Sequence, residues 1–165
     1  MTMLRYVLLL LCALAATLAQ AAEPLTVSMK VSGWFAKGYS WQLALAEDGA
    51  AKLTVEKPGA PVHDSLQIPP AKLEELRELL QRERFFDLGA SYGVVVPDSS
   101  TTTLSVRVGK RTRTVELQYL RTDDPHIEEM RRALRVSIFL RGLFQNPDAV
   151  DLRRYEEAML KDSAK

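Results

Sequence analysis

The sequence predicts an α+β domain of two layers, an antiparallel sheet of about four to five strands with helices on one face. Three observations predict it. Apolar and polar residues alternate in several short runs, the period of a half-buried strand. Turn signals join these runs closely, so neighbouring strands pair as antiparallel hairpins. Leu73, Leu76, Leu79 and Leu80 recur at helical spacing between charged residues, which marks one amphipathic helix with a single buried face.

The first segment lies outside the domain. Residues 1–22 carry Arg5, an apolar run from Tyr6 to Leu18 and a small-x-small site at Ala19–Ala21. These are the parts of a secretory signal peptide. The run is shorter than the roughly 20 residues that a membrane-spanning helix needs. The expected product is exported, to a periplasm or beyond, and begins near Ala22 or Glu23. The membrane is then met only transiently, through the signal peptide. A lipoprotein reading would acylate Cys12, but Leu11 is too large for that cleavage site.

Removing residues 1–22 from the 165 leaves 143, a chain of one-domain size. The boundaries read as 23–145 for the α+β domain and 146–165 for a charged C-terminal helix. Of 22 Lys and Arg, one is Arg5, so the mature chain balances 21 basic against 21 acidic residues. That balance argues against general nucleic-acid binding. Cys12 is the only cysteine. The mature domain therefore has no disulfide, no thiol nucleophile and no thiolate metal ligand.

Val27, Met29 and Val31 make the first strand. Tyr39, Trp41, Leu43 and Leu45 make the second, and Asp48 and Gly49 turn into a third with Leu53 and Val55. Leu66 and Ile68 form a short fourth. Pro69 and Pro70 open the leucine helix, since proline suits a first turn. Phe85 to Gly89 end it, and a polar loop is expected to run to about Ser100. A second hairpin follows, with Thr102, Leu104, Val106 and Val108, a turn at Gly109 and Lys110, then Val115, Leu117 and Tyr119. Asp124 as N-cap and Pro125 at the first helical position start a helix to about Phe144. A last helix is expected over about 148–161.

The motifs are sparse. Gly89, Ser91 and Gly93 match the G-x-S-x-G of a nucleophile elbow, which places its serine between a strand and a helix. Here a helix comes first and Val94, Val95, Val96 and Pro97 follow, so a loop is expected. His63 and His126 are the only histidines. With Asp64, Asp123 and Asp124 they lack the partners of a metal set. Neither catalytic residues, nor a metal, nor a cofactor is expected, and the chain reads as no enzyme. Arg131, Arg132, Arg135 and Arg141 share one helix. Their expected role is a solvated face paired locally with Glu128 and Glu129; the other reading is contact with an acidic partner or anionic lipid.

The densest signal is aromatic. Residues 34–41 hold four of the twelve aromatic residues. Tyr39 and Trp41 follow the inward period of their strand, whereas Trp34 and Phe35 fall in a glycine-flanked turn. Large apolar side chains at a turn tip are costly in water, and tryptophan is a favoured binding anchor. Trp34, Phe35, Lys37 and Tyr39 are the candidate partner contact, and the partner is expected to be a protein.

Tyr39 and Leu43, the turn at Asp48 and Gly49, the leucine helix, Phe85 to Leu88, Tyr92 and Asp98 together resemble a family of small exported bacterial domains of unknown function. That family often carries a Cys-Pro pair before the tyrosine; Lys37 and Gly38 stand there instead. The run from Val31 through Gly33, Trp34 and Phe35 to Ala36 is similar to the start of emfourin-like proteins, inhibitors of thermolysin-like metalloproteases. The resemblance implies an exported α+β binding domain and, as an alternative, inhibition of an exported metalloprotease. It maps no inhibitory residue. A lipid-associated envelope protein is the second alternative, resting on the arginine helix and the last helix.

Overall fold

Seven strands and two helices follow one another as β1 (Leu25–Trp34), β2 (Tyr39–Leu45), β3 (Ala50–Glu56), β4 (Val62–Gln67), α1 (Pro70–Arg82), β5 (Ser91–Tyr92), β6 (Thr101–Val108), β7 (Arg111–Leu117) and α2 (Ile127–Arg141). The computed structural model describes residues 23–34, 39–56, 58–97, 99–119 and 123–144, without the side chains of Gly33, Trp34 and Tyr39. The segments expected as a signal peptide (1–22) and a C-terminal helix (146–165) lie outside the described residues.

The strands join in one sheet of order β4-β3-β2-β1-β6-β7-β5. Five of its pairings are antiparallel and β5 runs parallel to β7. The sheet is therefore mixed, and larger than the four to five strands expected. The additional edge strand, β5, is two residues long. It is held by hydrogen bonds from Glu116 N–H to the Ala90 carbonyl (2.9 Å) and from Gln118 N–H to the Tyr92 carbonyl (3.0 Å). Two residues cannot display a period of two.

The other edge strand, β4, begins at Val62, before the Leu66 and Ile68 that signalled it. Asp64 sits opposite the buried Leu53. Its carboxylate accepts the Ser65 N–H at 2.8 Å. A charge at such a position discourages another strand from adding to the edge.

Burial alternates as the sequence predicts. Val27, Met29 and Val31 are buried in β1, as are Trp41, Leu43 and Leu45 in β2, and Leu104 and Val106 in β6. The intervening Ser28, Lys30, Gln42 and Ala44 are exposed. Leu76, Leu79 and Leu80 of α1 and Met130, Ala133, Leu134, Val136 and Leu140 of α2 belong to the same apolar cluster as the buried strand residues. Trp41, Leu43, Leu76, Leu79, Val106, Leu117 and Leu134 are all members.

α1 starts with Pro70 in its first turn. It ends in a 3-10 turn, Phe85–Asp87, reached through Arg84 at φ 48°. A left-handed backbone is unusual for a residue with a side chain. α2 departs from its expected start. Asp124 is not its N-cap; the helix begins at Ile127. The Asp124 carboxylate instead accepts the His126 N–H at 2.8 Å, closing the turn before the helix. Asp commonly makes such bonds to an amide two residues on.

Candidate functional site

The strand register gathers several segments at one end of the sheet. Ser32 of β1 lies opposite Thr101 of β6, and Trp34 lies opposite Tyr39 of β2. Thr102 lies opposite Leu117 of β7, and Leu117 pairs with Tyr92 of β5. The β1–β2 hairpin, the start of β6 and the ends of β5 and β7 therefore share one end. The predicted aromatic contact is placed there only by its backbone: a register irregularity between Val31 and Trp34 precedes the Trp34–Tyr39 pair. Phe35 and Lys37 lie outside the described residues.

The same end carries an apolar surface that the sequence reading took for a polar loop. After β5 the chain turns at Gly93 and re-pairs at Val94, whose N–H donates to the Tyr119 carbonyl (3.1 Å) and whose carbonyl accepts the Tyr119 N–H (3.2 Å). Val94 is 40% exposed, Val95 81%, Val96 37% and Tyr119 45%. These four are the exposed large hydrophobic residues among the described residues. They are neighbours in sequence or across the bridge, so this short stretch concentrates exposed apolar side chains at this end of the sheet. The signal was an apolar run between Gly93 and Pro97 that had neither strand nor helix period.

Gly93 is what allows the bridge. Its φ is 86°, and a Cβ there would stand 2.6 Å from the Tyr119 carbonyl oxygen. The chain can turn this closely only without a side chain. Below the patch Tyr92 is buried, and its hydroxyl accepts the Gly89 N–H. The G-x-S-x-G residues thus build a turn whose tyrosine closes back on its first glycine. Ser91 is exposed on β5, opposite Glu116. His126 lies 6.3 Å from the Tyr92 ring, centroid to centroid.

Beneath this end lies a buried cation. Arg141 is 1% exposed. Its Nη2 donates to the Thr102 hydroxyl at 3.4 Å, and its guanidinium carbon stands 5.5 Å from the Trp41 ring centroid. Arg141 was expected on a solvated face. It continues the stripe of Met130, Leu134 and Ser137 at three- and four-residue steps, so the signal was present and the residue type obscured it.

Two more of the four arginines serve the fold. Arg132 donates to the carbonyls of Glu83 (2.6 Å) and Arg84 (2.9 Å), and Arg135 pairs with the buried Glu83 carboxylate at 2.8 Å. Only Arg131 keeps the expected local pairing, with Glu128.

No protein-family model matches the chain, and no curated protein matches it.

The remaining sequence candidates stand apart. His63 is exposed on the outer sheet face, with its Nδ1 3.3 Å from the Thr54 hydroxyl. Among the described residues, no group of three or more His, Cys, Asp or Glu could hold a metal ion. Among them also, no helix is long and apolar enough to cross a membrane.

Proposed function

We propose that the chain is an exported, non-catalytic protein-binding domain, acting in the periplasm or outside the cell. We place its contact at the end of the sheet bearing Val94, Val95, Val96 and Tyr119. One observation carries this reading: these four exposed apolar residues cluster around the Val94–Tyr119 bridge, at the end of the sheet where β1 and β2 pair Trp34 with Tyr39. Contiguous exposed apolar surface commonly marks a protein contact. Trp34, Phe35, Lys37 and Tyr39, the contact candidates read from the sequence, are included in the proposed contact. The proposed architecture is two layers, both helices on one sheet face. The strict alternation of buried and exposed residues along β1 and β2 supports it.

Inhibition of an exported metalloprotease is the second reading. Its support is Val95, the most exposed of the four, in a short segment ending at Pro97. An inhibitor must present side chains outward in this way. Lipid association has less support, because Arg141 is buried and Arg132 and Arg135 are engaged by Glu83 and Arg84.

The test is retention of a partner from the native envelope fraction by the tagged protein, compared with Val95→Asp and Tyr119→Ser. Both substitutions fall on exposed side chains, so the melting temperature should hold. The proposal expects one protein kept by the parent and lost by both variants. Identical retention by all three would reject the patch as the contact. A stoichiometric block of a metalloprotease, also lost in Val95→Asp, would select the inhibitor reading.

A further inference from the structure

At the opposite end of the sheet, α1, the 3-10 turn and the β6–β7 hairpin enclose a cavity of about 490 Å³. That volume lies inside the range of about 300–1,000 Å³ usual for small-ligand sites. Its apolar wall includes Leu80, Phe86 and Val108, and its charged residues come from α1, the turn that follows it, the start of β7 and Glu23 ahead of β1.

The charges are not equally engaged. Arg84 pairs with Asp87 at 3.0 Å, and Arg77 meets Glu74 at 3.9 Å. Arg111 differs from both. Its guanidinium carbon lies 4.3 Å from the centroid of the Phe86 ring. It makes no ion pair among the described residues. Stacking on a ring holds a guanidinium flat and leaves its edge donors free. That fork matches a carboxylate in two-point geometry. Glu23 is the nearby acid that competes, and its carboxylate rests against the turn at Gly109.

We propose that this cavity binds the carboxylate of a small apolar acid, with the anionic head on Arg111 and the apolar body along Leu80, Phe86 and Val108. The head could belong to a fatty acid or to the free C-terminus of an apolar peptide. The site is separate from the apolar patch, and its failure would leave the binding-domain reading untouched.

The experiment titrates decanoate and acetyl-Leu-Leu into the purified exported protein and follows the Arg111 Nε–H resonance by NMR. Decanol and acetyl-Leu-Leu amide are the uncharged counterparts. The proposal expects a saturable shift with at least one acid and none with its counterpart. Which acid binds identifies the source. Arg111→Gln, followed at the Val108 amide, should weaken that acid about ten-fold or more, the worth of one charge-assisted pair. Followed at Val108, Arg111→Lys should lie between, keeping charge and losing the fork. Glu23→Gln should bind as well as the parent or more tightly. The proposal is overturned if neither acid saturates, if the uncharged counterparts bind equally, or if Arg111→Gln and Arg111→Lys both bind like the parent.

Discussion

Arg132 reaches from α2 to the end of α1 and donates its Nε hydrogen to the Glu83 carbonyl at 2.6 Å, while its Nη2 takes the Arg84 carbonyl at 2.9 Å. The last carbonyls of a helix lack partners within it. Here a side chain of the second helix supplies a donor to the C-cap carbonyl of Glu83, and shares the Arg84 carbonyl with the Asp87 N–H of the 3-10 turn (3.0 Å). The same residue, Glu83, turns its buried carboxylate to Arg135. These three contacts tie the two helices together beside Arg84, the residue with the left-handed φ.

Arg132→Ala should therefore cost about 1.5–3 kcal/mol, the range for bonds to a charged donor. Arg135→Ala leaves the Glu83 carboxylate buried beside only Arg82, at 3.5 Å. It should destabilise more than Glu83→Gln with Arg135 also replaced by Gln, since a buried charge stripped of its closest partner is worse than none. Urea denaturation of the three variants checks the order.

The core makes a simpler demand. Leu76→Ala or Leu79→Ala should cost about 2–5 kcal/mol, the usual range for emptying a packed leucine site. Both side chains are at most 5% exposed. Losses below about 1 kcal/mol at both sites would mean that the neighbourhood collapses into the space, contrary to a close-packed interior.

Gly93 and Gly59 form a matched pair. Both have positive φ, 86° and 104°. A Cβ on Gly93 meets the Tyr119 carbonyl at 2.6 Å, whereas one on Gly59 meets nothing within 4 Å. Gly59→Ala should show only the backbone strain, about 1–2 kcal/mol. Gly93→Ala should cost clearly more and should break the Val94–Tyr119 bridge, seen as loss of amide protection at both residues. Equal melting temperatures for the two variants would contradict the close approach.

The fold was legible where side chains follow a period. Met29, Leu43, Leu104 and Leu79 each announced a face that the structure buries. It was illegible where backbone contacts decide. β5 exists because Ala90 and Tyr92 offer carbonyls to β7, and two residues carry no pattern. The start of α2 moved because the Asp124 carboxylate closes a turn before it can cap a helix. The exposed apolar stretch was illegible because Val94, Val95 and Val96 follow neither a strand nor a helix period, and only the Val94–Tyr119 bridge fixes where they stand. Arg141 was misread because a guanidinium on an apolar stripe looks like surface until Thr102 and Trp41 are found around it.

Ser91→Ala, His63→Ala and His126→Ala should leave the biological activity intact. Ser91 is exposed on a short edge strand, His63 stands on the outer sheet face, and His126 packs beside the Tyr92 ring. A hydrolytic activity abolished by Ser91→Ala would overturn the non-catalytic reading.

The central claim is that a partner meets the end of the sheet carrying the apolar patch. The most direct measurement places a photo-crosslinking amino acid at Val95 and, separately, at Lys52 on the exposed outer face of β3. Both proteins are expressed as the full 165-residue chain in the native host and irradiated in intact cells. The account predicts one discrete protein adduct from position 95 and none from position 52. An adduct at position 52 with none at 95 would contradict it.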